Sequence, residues 1–112
     1  MTPALSVIIV NFNAGDHLER CLSSLVEHLP GIEWEALVID NASQDASLEA
    51  AEEFRSRVNF VRNSVNRGFA AAVNQAFQST STSYVLILNP DIRVTPGAVQ
   101  MLEDFMDTHP RA

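Results

Sequence analysis

Lysine is absent from this chain: all seven basic residues are arginines. That removes mechanisms built on a Schiff-base lysine or a phosphate-loop lysine. Cysteine occurs once, at Cys21, so neither an intrachain disulfide nor a paired-thiolate zinc site can form. It falls within a helical apolar pattern and reads as a free buried thiol in a reducing compartment. There are four glycines, and no G-x-G-x-x-G follows the first apolar run, which argues against dinucleotide binding. Long apolar runs are lacking too. The first, Leu5 to Val10, is too short to span a bilayer and has no basic start of the secretory kind.

What is present suits a small α/β domain. The 112 residues carry 14 acids against those seven arginines, a net charge of −7, with 46% hydrophobic and 19% charged residues. Such a chain can bury a core in one domain, spanning 1–112, and its length equally suits one half of a larger unit. An acidic chain without a basic run does not read as a binder of nucleic acid or of anionic membranes. His17, His28 and His109 have no ligand spacing and read as surface residues. Asn41-Ala42-Ser43 fits the glycosylation sequon, a match that is accidental in a cytosolic chain.

Strand and helix patterns alternate along the chain. Leu5 to Val10, Ala36 to Ile39 and Tyr84 to Leu88 are short apolar runs rich in β-branched residues, as in parallel strands covered on both faces. Val58 to Val61 alternates, as an edge strand would. Leu18, Leu22, Leu25, Val26 and Leu29 mark a helix opened by Asn13 and closed by Pro30-Gly31. Leu48, Ala51, Phe54 and Val58 mark a second, capped by Ser43 or Asp45. Phe69, Ala72, Val73, Ala76 and Phe77 mark a third. The fourth starts at Thr95-Pro96 and is predicted to bury Ala98, Met101, Leu102, Phe105 and Met106. The order β-α-β-α-β-α-β-α with right-handed crossovers implies a doubly wound, mostly parallel sheet with flanking helices.

In such sheets ligands bind beyond the carboxyl ends of the strands. Four polar clusters fall there or open the third helix: Asn11-Phe12-Asn13, Asp40-Asn41-Ala42-Ser43-Gln44-Asp45, Asn66-Arg67-Gly68 and Asn89-Pro90-Asp91. These are also ordinary turn residues, so a structural domain with no ligand is one reading. Their convergence on one rim supports another. Asp40 can accept the imide N–H of uracil or thymine, and Phe12 can stack on the ring. Arg67 near a helix N-terminus suits phosphate oxygens, with Gly68 allowing close backbone approach. Asp91 can ligate Mg²⁺ or Mn²⁺. A phosphate-receiver domain would want paired acids after the first strand and a late lysine; both are missing.

Four stretches resemble the motifs of the family 2 inverting glycosyltransferases: Ser6 to Asn13, Val38 to Asp45, Asn66 to Asn74, and Leu88-Asn89-Pro90-Asp91. The wording is most similar to bacterial rhamnosyltransferase-like members. The resemblance implies the nucleotide-binding half of a GT-A, Rossmann-like fold. It implies donor contacts from Val10, Asn11, Phe12, Asn13, Asp40, Asn41, Ser43, Asn66, Arg67, Gly68 and Asn89, with Asp91 holding a Mg²⁺ or Mn²⁺ that neutralises the leaving diphosphate.

The implied donor is a UDP- or dTDP-sugar, with dTDP-rhamnose favoured, and the implied acceptor a glycan or lipid-linked precursor at the cytoplasmic face of a membrane. The family's acidic D-x-D signature reads here as Asn89-Pro90-Asp91, with one carboxylate. Its general base comes from a second, acceptor-binding half, expected beyond residue 112. A non-catalytic nucleotide-sugar-binding module is the alternative expectation.

Overall fold

The computed structural model describes residues 4–29 and 31–111. The chain runs β1 (Leu5–Asn11), α1 (His17–His28), β2 (Trp34–Asp40), α2 (Ser47–Ala50), a 3₁₀ turn (Glu52–Phe54), β3 (Val58–Arg62), α3 (Phe69–Phe77), β4 (Tyr84–Leu88) and α4 (Ala98–Thr108). The strands form one sheet in the order β3-β2-β1-β4, and every pair is parallel. The chain starts in the middle, winds outward through β2 and β3, then returns to the other side of β1. That reversal opens a crevice at the carboxyl ends of β1 and β4.

Alternation along the strands divides the core in two. On one face Leu5, Val7 and Ile9 of β1 and Ala36 and Val38 of β2 pack against Leu18, Cys21, Leu22 and Leu25 of α1, joined by Leu48 and Val99. On the other, a smaller cluster joins Ile8, Leu37 and Ile39 to Ala72 and Ala76 of α3, with Val10 and Val85 partly buried against it. Helices on both faces make the sheet doubly wound, as the element order predicts. Cys21 is buried and unpaired, and burial pushes its thiol up to about 11, so it is a packing residue with little thiolate at neutral pH. Among the described residues no helix is long and apolar enough to cross a membrane.

Several local expectations are corrected. Asn13 does not cap α1: its φ of 50° lies in the left-handed region, and Asp16 stands at the cap position. Pro30 lies outside the described residues. The second helix lasts one turn, because i→i+3 bonds such as Ala51 N to Leu48 O tighten it. Val58 therefore starts β3 instead of extending a helical stripe. The fourth helix does not start at Pro96: Gly97 takes φ 79°, which no right-handed helix accommodates. Tyr84 to Leu88 is not covered on both faces: Ile87 is exposed and only Leu88 is fully buried. Val26, Phe69, Phe77, Met101, Leu102 and Phe105 are exposed, and α4 buries only Val99.

Candidate functional site

The parallel register sets Asn11 beside Asp40 at the ends of β1 and β2. Both are buried, at 0% and 3% exposure. Asn11 Nδ2 donates to Asp40 Oδ1 at 2.8 Å, to Ser47 Oγ at 2.9 Å and to Ser43 Oγ at 3.2 Å. The second oxygen of Asp40 accepts the Ser43 N–H at 3.1 Å. The next turn locks onto this pair: Asn13 N–H donates to Ser43 Oγ, and Asn13 Oδ1 accepts the Gln44 and Asp45 N–H groups. Asp45 in turn accepts the Gly15 and Ser47 N–H groups and the Ser47 hydroxyl. Left-handed backbone at Asn13 and Ala42 folds the two strand-end loops tightly enough for these bonds to close. Asn11 Oδ1 alone in this knot is buried without a partner.

A second polar group supports the loop before α3. Asn41, 2% exposed, donates through Nδ2 to Gly68 O at 3.1 Å, and its Oδ1 accepts from Asn63 Nδ2 at 3.0 Å and from Arg67 N–H at 3.4 Å. With both amide ends engaged and the residue buried, Asn41 is no glycosylation acceptor in this fold. Gly68 adopts φ 82° and donates its N–H to Asn66 Oδ1.

Between these two groups opens a cleft of about 410 Å³, lined by Val10, Phe12, Ala14, His17, Asn41, Asn66, Gly68, Phe69, Pro90 and Asp91. It gathers six of the sequence-predicted site residues, from all four clusters. Asn11 and Asp40 sit behind its wall, and Asn13 and Ser43 belong to the adjoining knot. Arg67 presents its backbone to Asn41 while its side chain is exposed, and Asn89 O closes the turn to Ile92 N. Neither Arg67 nor Asn89 lines the cleft. Sequence reasoning missed Ala14, His17, Phe69 and Pro90 as lining residues. His17, exposed as expected, opens α1 on the cleft side. Its Nδ1 lies 3.1 Å from Arg93 Nη2; since guanidinium only donates, Nδ1 accepts and the other ring nitrogen carries the proton.

The cleft can take a ring between Phe12 and Phe69, and an anion near the exposed N–H groups that open α3. Asp91 is its only carboxylate among the described residues, and no group of three or more His, Cys, Asp or Glu able to hold a metal is found among them. One carboxylate is sufficient protein ligation for Mg²⁺ or Mn²⁺ where phosphate oxygens and water supply the rest.

A family model described as glycosyl transferase family 2 matches residues 6–112. The chain belongs to that family. Its fold is the GT-A fold. It superposes with a TM-score of 0.84 on residues 1–349 of Staphylococcus aureus TarS in complex with UDP-GlcNAc, at 24% identity, covering 98% of this chain and 32% of that one. A Pyrobaculum calidifontis mannosyltransferase in complex with GDP-Man and Mn²⁺ gives the same score at 22% identity, over 95% of this chain and 33% of that one. In sequence, an N-acetylglucosaminyl-diphospho-decaprenol L-rhamnosyltransferase of Mycobacterium tuberculosis is 30% identical, matching 100% of this chain and 40% of its own length. A dolichol-phosphate mannosyltransferase of Pyrococcus furiosus is 29% identical over 88% of this chain and 28% of its own. The family 2 chain therefore spans two fifths or less of these relatives.

Proposed function

We propose that the cleft binds the nucleotide diphosphate of a sugar donor, and that this chain is the donor-binding part of an inverting glycosyltransferase. The observation that carries the reading is the convergence of Val10, Phe12, Asn41, Asn66, Gly68 and Asp91 on one cleft at the sheet's reversal point. Phe12 and Val10 hold the base, and the backbone around Gly68, with Arg67 and Asn66 beside it, faces ribose and phosphate. Asp40 reads a pyrimidine imide from just behind the wall. Asn11, Asn13 and Ser43 hold that carboxylate in place, and Asn89 shapes the turn that presents Asp91.

Asp91 would hold a Mg²⁺ or Mn²⁺, whose charge stabilises the departing diphosphate when bound. The neighbour in complex with GDP-Man and Mn²⁺ supports use of a divalent metal in the family. In-line displacement with inversion joins an acceptor oxygen to the anomeric carbon, releases the nucleotide diphosphate and sends the hydroxyl proton to a base. The cleft offers no second carboxylate for that base among the described residues, so donor binding without turnover is the activity assigned to this part. The mycobacterial relative, an L-rhamnosyltransferase of N-acetylglucosaminyl-diphospho-decaprenol, supports rhamnose as the sugar and a lipid-linked acceptor.

Thermal unfolding with UDP, dTDP, CDP and GDP at millimolar concentration, with and without Mn²⁺, tests the assignment. UDP and dTDP should raise the melting temperature and CDP should not, because cytosine lacks the imide proton that Asp40 accepts. No shift with any nucleotide would sink the donor site, and a response to GDP alone would refute the pyrimidine reading. In Asp91→Ala the shift should persist without its Mn²⁺ dependence; retained dependence would remove Asp91 as the metal ligand.

A further inference from the structure

The amide of Gln75, on the second turn of α3, pairs with that of Asn63 just beyond β3. Gln75 Nε2 donates to Asn63 Oδ1 at 2.9 Å, and Asn63 Nδ2 donates to Gln75 Oε1 at 3.0 Å. The other proton of Asn63 Nδ2 goes to Asn41 Oδ1 at 3.0 Å. Asn41 then grips the loop at two backbone points, the Gly68 carbonyl and the Arg67 N–H. Three amides from α3, the β3 end and the β2 end thus form one directed chain that terminates on the cleft wall.

Direction is the informative property. An amide can be turned end for end with little change in shape, so its orientation is set by what its two ends meet. If Asn41 were reversed, its NH₂ would face the Arg67 N–H and the Asn63 NH₂, and its oxygen would face the Gly68 carbonyl. Asn63 can offer Asn41 a donor only while Gln75 occupies its own oxygen and its second proton. Asn63 and Asn41 are buried, where such mismatches are costly because water cannot repair them.

We propose that Gln75 and Asn63 are positioning residues for the donor site, acting through Asn41 to hold the Arg67–Gly68 backbone where a nucleotide diphosphate meets it. This rests on the donor-site reading given above, and it assigns to that site two residues outside the cleft lining. Packing alone does not account for the pair. An apolar residue of similar size would fill the same space on α3, yet would leave Asn63 free to turn and release Asn41 from its orientation.

The test uses the chain as it stands with Gln75→Leu, which keeps volume on a half-buried helical position and removes both amide bonds. Amide hydrogen exchange in the absence of nucleotide should accelerate about tenfold at Arg67 and Gly68, while Ala76 and Phe77, whose bonds lie within α3 and clear of the loop, stay protected. Equal acceleration at all four amides would mean that Gln75 merely stabilises the helix, and no acceleration at Arg67 and Gly68 would mean that it does not reach the loop. Either outcome overturns the proposal.

In an Asn41→Ala background the effect of Gln75→Leu on those two amides should vanish, since the two act in series; simple additivity would refute the chain. If Asn41→Ala does not fold, the single-variant exchange pattern still decides. Titration with UDP and Mn²⁺ completes it: Gln75→Leu should weaken binding about fivefold or more, with the core α3 amides unchanged. Wild-type protein that binds no nucleotide would refute the donor site itself. Wild-type binding that is equalled by Gln75→Leu would refute the positioning role alone.

Discussion

Helices α1 and α4 carry equally regular apolar stripes, yet they end in opposite surroundings. Leu18, Cys21, Leu22 and Leu25 of α1 lie on β1 and β2 and are fully covered. Met101, Leu102 and Phe105 of α4 are exposed beside a β4 edge that, among the described residues, no strand pairs. The contrast separates two properties that a stripe combines. Amphipathicity drives a helix to seek apolar cover; the topology decides whether the cover exists. Strand β1 is central and offers α1 a full pleated face, while β4 is an edge strand and offers α4 little more than a seat for Val99. The candidate rim lies where coverage is greatest, at the ends of β1 and β2, and a rigid scaffold beneath a polar site preserves its geometry.

The sharpest way to break that contrast is to truncate one leucine on each helix. Leu22→Ala should cost about 2–5 kcal/mol, the range for a fully buried leucine. Leu102→Ala, 54% exposed, should cost no more than about 0.5 kcal/mol. Urea unfolding measures both. Comparable losses would mean that α4 is as much a part of the core as α1.

Asn11→Ala carries the next largest expected effect, because it touches the rim without touching the apolar core. It strips the amide donor from the Asp40 carboxylate and from two serine hydroxyls. A buried acceptor left without a donor costs about 1–3 kcal/mol, and calorimetric titration should show UDP affinity falling along with stability. Full stability with lost binding would recast Asn11 as a ligand contact. Unchanged binding would remove the knot from the site altogether.

Legibility in the sequence divides along the same line. Three strands are legible because β-branched apolar runs mark a sheet interior by composition alone, the fourth, Val58 to Val61, by its alternation, and the polar clusters at the strand ends follow from the strand-end rule. The chain also revealed that Asn41, Gly68 and Asp91 share a rim, since each directly follows a strand or opens a helix. Ser47, Asn63 and Gln75 were silent: they are single polar residues in separate elements, and only the β2–β3 register and the α3 crossover bring them to the rim. Helical spacing predicts Phe69 in the core, yet it stands at the first turn of α3, exposed, and overhangs the cleft. The α4 stripe departs furthest from expectation, because periodicity describes the helix and contains nothing about its neighbour.

Acid titration should resolve the two regions with opposite sign. At the rim, the Ser47 hydroxyl, followed by the Gly15 and Ser47 N–H groups, holds the Asp45 carboxyl below the usual carboxylate range against a smaller opposing effect of desolvation. A carboxylate whose folded pKa is depressed adds stability above its unfolded value of about 3.9, and that stability drains away as the pH falls through the folded value. On α4, burial and then the neighbouring Asp107 and Asp104 charges push the Glu103 carboxyl up. Its contribution has the reverse sense: fully present below about 4.3 and lost as the pH rises through the folded value. Asp45→Asn should therefore be destabilising at pH 7 and approach wild type in acid. Glu103→Gln should be stabilising at pH 7 and approach wild type below about pH 4. Both residues are half-buried and still reach solvent, so screening should hold each difference to about 1 kcal/mol or less. Melting curves for the three proteins from pH 3 to pH 7 decide the matter; two differences of the same sign would erase the distinction between a satisfied rim and an uncovered edge.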